Sequence, residues 1–103
     1  VSELRREVEL LIRRVGHWGP PRWVAPAASG AGSRAEVVHR LVQRLADRCA
    51  DVEGRPRRRV PRLDNDLALV DQLRVLTADL EAVADETVLA AAAADTSETR
   101  TAL

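Results

Sequence analysis

Leu4, Val8, Leu11, Ile12 and Val15 stand at i, i+4, i+7, i+8 and i+11, the spacing that puts all five on one face of a helix. The pattern predicts a helix over roughly Ser2 to Val15, with Gly16 placed to end it. A second stripe, Val38, Leu41, Val42, Leu45 and Cys49, follows Ser33-Arg34-Ala35-Glu36, the sequence of a capping box. That helix should stop before Gly54. A third run, Leu69, Leu73, Leu76, Leu80 and Val83, repeats at four, three, four and three like an a/d seam of about two heptads. It is too short for a free coiled coil and reads as a bundle helix, capped by Asp64 or Asn65. Asp85 can cap a fourth helix through Thr87, Val88, Leu89 and the alanine run. The alternative is one long bent helix from Asp66 to about Ala94. Thr96 to Leu103 are expected to fray.

Two stretches break the helical pattern. Residues 16–32 hold three prolines and four glycines, which argues against regular helix and for a long irregular loop. Residues 54–63 contain Arg55-Pro56-Arg57-Arg58-Arg59-Val60-Pro61-Arg62, an extended basic linker. No internal repeat and no convincing strand alternation is present. The expected fold is all-α: a single domain over 1–103, built as a three- or four-helix antiparallel bundle with one long Trp/Pro-containing loop. Its expected core is Leu4, Val8, Leu11, Ile12, Val15, Val38, Leu41, Val42, Leu45, Leu69, Leu73, Leu76, Leu80 and Val83.

Composition fits this reading. With 46% hydrophobic and 31% charged residues the chain is globular in character, not disordered. It has two Trp and no Phe, Tyr or Met, so aliphatic side chains must fill the core, which suits packed helices. All sixteen basic residues are Arg, the coding bias expected of a GC-rich bacterial genome. Cys49 is the only cysteine, which excludes an intramolecular disulfide and a cysteine-based zinc site. No signal-peptide pattern opens the chain, and the apolar run Val88 to Ala94 is too short to cross a bilayer. The expectation is a cytoplasmic protein with no membrane partner.

Charge is unevenly spread. Residues 1–62 carry fourteen arginines against seven acids, a balance of +7, and residues 63–103 carry two against nine, a balance of −7. One reading has the acidic helix lying against the basic ones within the fold. The other turns the basic half outward to an anionic partner, or pairs two chains basic half to acidic half.

Candidate sites follow from this distribution. Arg55, Arg57, Arg58, Arg59 and Arg62 could hold phosphates, with Arg40, Arg44 and Arg48 extending the patch at i+4 spacings. No aromatic residue sits among them to stack a base, and the opposing reading is a solvated linker paired to Asp64, Asp66 and nearby acids. His17, Trp18, Arg22 and Trp23 form a second candidate, a ligand or partner pocket with Arg22 stacked on a ring. Against it stands a lid, with both indoles folded back over the helix ends. His17 and His39 are the only histidines, no His-x-x-x-His spacing exists, and no metal or cofactor is expected. Cys49 falls on an apolar face and reads as a buried thiol.

The leading functional expectation is a non-enzymatic helical protein–protein interaction module, binding a protein partner or itself as a homo-oligomer. The alternative is an Arg-rich nucleic-acid-binding protein. A second alternative is a small-ligand or enzymatic site at the Trp loop.

Overall fold

The computed structural model describes residues 1–103 and contains five helices and no strand, only an isolated bridge between Pro26 and Ser33. Helix α1 spans Glu3–Val15, and the Ser2 hydroxyl caps it by accepting from the Arg5 amide. All five residues of its apolar stripe are buried. Helix α3, Arg34–Glu53, opens with the full capping box: the Ser33 hydroxyl accepts from the Glu36 amide, and Glu36 accepts from the Ser33 amide. It ends at Gly54, whose φ of 67° is a left-handed conformation that glycine adopts without a Cβ penalty.

Three expectations change at the remaining elements, and one is met. The loop 16–32 is not irregular throughout, because Pro20–Val24 form a short helix, α2, with prolines at its first two positions. A helix's first N–H groups have no intrahelical acceptor, so proline costs nothing there. Neither Asp64 nor Asn65 caps the next helix. Asn65 Oδ1 accepts from the Leu67 amide at 3.0 Å, a local turn that delays α4 to Ala68–Val83. Ala84 is extended and Asp85 caps a separate α5, Glu86–Ala102, which excludes the single bent helix. Nor do residues 96–103 fray: Thr96, Thr99 and Leu103 are buried, and the carbonyls of Ala102 and Leu103 accept from Ser29 and Ala28.

Packing joins α1 to α4 and α5, and α3 to α2, α4 and α5. Ion pairs reveal the directions. Arg5 binds Glu81, so the start of α1 meets the end of α4. Arg48 and Arg44 reach Asp95 and Arg44 approaches Glu98, so α3 and α5 are opposed. Arg14 donates to the Arg100 carbonyl and Arg100 to Glu7, while Val1 to Glu3 share a surface hollow with Glu86 and Leu89; α1 and α5 therefore run the same way. So do α3 and α4, because the linker returns along α3 before α4 begins; with five helices and these two pairs running the same way, the expected three- or four-helix antiparallel order is not formed.

One apolar cluster of 21 buried residues draws on every helix. Of the fourteen expected core residues, twelve are in it. Leu76 is only partly buried, because it opens on a hollow between α4 and the linker, and Val83, the last residue of α4, is 42% exposed. The two Trp join the core, as does a set of small residues on α5 that the hydrophobic pattern does not single out. No helix is long and apolar enough to cross a membrane.

Candidate functional site

The linker 54–67 lies along α3 and is fastened by a small polar set. Gln43 Oε1 accepts from the Val60 amide at 2.7 Å, while Gln43 Nε2 donates to the Arg58 carbonyl and to Asp47. His39 Nε2 donates to the Val60 carbonyl at 3.1 Å; a carbonyl only accepts, so Nε2 carries the proton. These bonds hold the chain extended at the distance a side-chain amide spans.

The arginines of this patch divide into neutralised and free. Arg55 pairs with Glu53 at 2.7 Å, Arg57 with Asp51 at 2.7 Å and Arg62 with Asp66 at 3.0 Å. Arg44 and Arg48 converge on Asp95, which is 12% exposed at its side chain. Arg40 donates to the Ala31 carbonyl. Arg58 and Arg59 are exposed and have no ion pair. The hydrogen bonds of Arg57 hold the Asp51 carboxyl below its ordinary range, and those of Arg55 and Cys49 do the same for Glu53. The structure thus brings Arg44, Arg48 and Arg57 together around a hollow of about 250 Å³, but with Asp47, Asp51 and Asp95 among them. Such a site is balanced rather than cationic. Asp64, expected as a partner, makes no ion pair, and acids from α3 take that role instead.

The Trp cluster is built differently. Trp23 is fully buried and Trp18 is 6% exposed, with their rings edge to face at 5.2 Å. The expected stacking of Arg22 is not formed: Arg34 lies over Trp18, 5.0 Å from the ring centroid, and Arg22 faces His17 Nε2 at 3.5 Å. The indoles sit among the helix ends, as the lid arrangement requires.

Residues with reactive side chains are otherwise occupied. Cys49 is buried and donates to Glu53 at 3.3 Å, and burial, then Glu53, raises its thiol pKa. Glu36 and His39 stand at i, i+3, but Glu36 turns back to Ser33 and His39 to Val60. No group of three or more His, Cys, Asp or Glu residues could hold a metal.

A feature the sequence reading missed is the outer face of α4. Leu67, Asp71, Val75, Ala78 and Ala82 are all exposed and repeat at four, four, three and four, a second stripe opposite the buried seam. Beside it, between α4 and the linker, runs a groove of about 380 Å³ lined by Val42, Val60, Leu63, Ala68, Asp71, Gln72, Val75 and Leu76. Leu63 is 45% exposed and Val75 60%. Gln72 Oε1 is buried there with no donor. The signal was present in the chain: ten of the sixteen residues of Ala68–Val83 are Ala, Val or Leu, more than one buried face needs.

The chain matches no known protein-family model, no curated protein and no solved structure.

Proposed function

We propose that this protein is a helical protein–protein interaction module: a four-helix bundle whose contact surface is the outer face of α4 together with the groove against the linker. One observation carries the reading. Besides its buried seam, helix α4 exposes Val75, Ala78 and Ala82 along one side, with Leu67 just before it and Asp71 interrupting the run, and the rest of the chain does not cover them. A helix apolar all round is normally buried all round, and contiguous exposed apolar surface rimmed by polar groups marks a docking site. The small residues Ala78 and Ala82 beside Val75 would let another element approach closely. Five of the candidate arginines already hold carboxylates close by.

The test is site-specific photo-crosslinking in expressing cells. A photoreactive side chain at Val75 is expected to capture discrete protein species, while the same group at Arg13, exposed on α1, captures none. Absence of any discrete product at Val75 would overturn the reading.

Nucleic-acid binding is the second reading, favoured by Arg58 and Arg59, which lie side by side without carboxylate partners. It expects binding to a generic duplex that weakens steeply with salt and falls further in the Arg58→Ala, Arg59→Ala variant. Fluorescence anisotropy at low and moderate salt decides it.

A further inference from the structure

The groove between α4 and the linker is apolar and carries one unanswered charge. Six of its eight lining residues are apolar, among them Val60, Leu63, Val75 and Leu76. The other two are Asp71 and Gln72. Asp71 is exposed, and its carboxylate takes part in no ion pair and no hydrogen bond within the chain. Gln72 Oε1 is buried with no donor. No basic residue lines the groove. Arg62 is held by Asp66 at 3.0 Å, and Arg58 and Arg59 line a separate hollow with Gln43, Asp47 and Arg57. Arg74, three residues beyond Asp71, makes no ion pair with it. Both unpartnered groups are acceptors, so what the groove lacks is a donor.

We infer that the partner protein fills this groove with a basic side chain, a lysine or arginine whose aliphatic stem lies on the apolar floor and whose cationic head meets Asp71. The inference rests on the reading of this face as a contact surface and adds the chemistry of the segment that it takes. A lysine or arginine is apolar along its stem and charged only at its tip, the same division that the groove shows between its floor and Asp71. A wholly apolar side chain would strip water from the Asp71 carboxylate and return no donor, and a charge desolvated without a partner is costly. An acidic side chain would meet like charge. A short polar one would leave Leu63 and Val75 in water, where they now stand 45% and 60% exposed. Only the amphipathic cation answers both parts of the lining.

Titration of the full chain with three probes of equal chain length, n-hexylammonium, n-hexanol and hexanoate, followed by amide chemical shifts, tests the inference. The expected result is saturable shifts at Leu63, Val75 and Leu76, with the ammonium bound about 2- to 5-fold more tightly than the alcohol, the range of a solvent-exposed ion pair, and hexanoate bound most weakly. Asp71→Asn should erase the advantage of the ammonium while leaving the alcohol's affinity and Tm unchanged. Equal binding of ammonium and alcohol would overturn the recognition of charge, and no shift at these amides with any probe would overturn the groove as a site. In expressing cells, capture by the photoreactive group at Val75 should fall about 5-fold when Asp71→Lys is added. Undiminished capture would overturn the basic contact and leave the interaction reading standing. Ammonium binding with no capture at Val75 at all would overturn the protein source in favour of a free amine, and the interaction reading with it.

Discussion

Two long crossings join α1 to α3 and α3 to α4, and they are handled in opposite ways. Residues 16–33 send two indoles inward, tie Ala27, Ala28 and Ser29 to backbone carbonyls, and become part of the core. Residues 54–67 stay outside, held to α3 chiefly through Gln43 and His39, with nearly every side chain exposed. The difference is one of residue type. An aliphatic core without Phe, Tyr or Met gains from each buried Trp the large apolar area that helices of Leu, Val and Ala do not supply. A run of arginines offers nothing to bury and must keep its guanidiniums in water or against carboxylates. Similar breaks in the helical pattern therefore produce one structural plug and one surface strap.

The largest effect is expected at the plug. Trp23→Ala should cost about 3–5 kcal/mol in chemical denaturation, because Trp23 is fully buried; a loss below about 1 kcal/mol would place the crossing outside the cooperative core. At the strap, Gln43→Ala removes the acceptor of the Val60 amide and should cost about 1 kcal/mol. Amide exchange at Val60 should accelerate while Trp23 fluorescence stays unchanged. Equal effects on both would show the two crossings to be one cooperative unit.

Acid separates them further. Asp51 and Glu53 are held below the ordinary carboxylate range by Arg57 and Arg55. A depressed carboxyl contributes its stabilisation above the unfolded pKa and loses it as pH falls through the folded value. Exchange at the linker should thus speed up below the usual Asp and Glu range, whereas the carboxylate at the end of the Trp crossing, Glu36, loosens only the capping box. Linker exchange independent of pH would mean these pairs do not hold the strap. The smallest effect is expected from Arg58→Ala with Arg59→Ala, within about 0.5 kcal/mol in thermal or chemical melts, since neither makes an ion pair; a larger cost would reveal a structural partner for one of them.

How far the sequence revealed the fold depends on what each segment uses to fold. Helices α1 and α3 are carried by apolar stripes and by a capping box with side chains of unambiguous preference, and these are where the structure puts them. The burial of α5 was hidden because it rests on Ala92, Ala93, Thr96 and Thr99. Threonine scores as polar, yet Thr96 and Thr99 hydroxyls donate to carbonyls one turn earlier, at 2.9 and 3.0 Å. That satisfies the hydroxyl and lets the methyl pack. For α4 the reverse occurred: the seam through Leu69, Leu73 and Leu80 was visible, but the second stripe lies on the opposite face and only the fold shows that nothing covers it. The arginines were identifiable as a patch, while their neutralisation depended on Asp51 and Asp95, which only the return path of the linker and the placement of α5 bring near.

The neighbours of α1 also set an order of events during synthesis. Its packing partners are α4 and α5, which begin at Ala68 and Glu86. While the ribosome is still making the linker, α1 has five apolar side chains and no surface to place them on. The chain must carry that exposed stripe until Ala68–Val83 has emerged. This is the interval in which a nascent helix is open to mispairing with another chain.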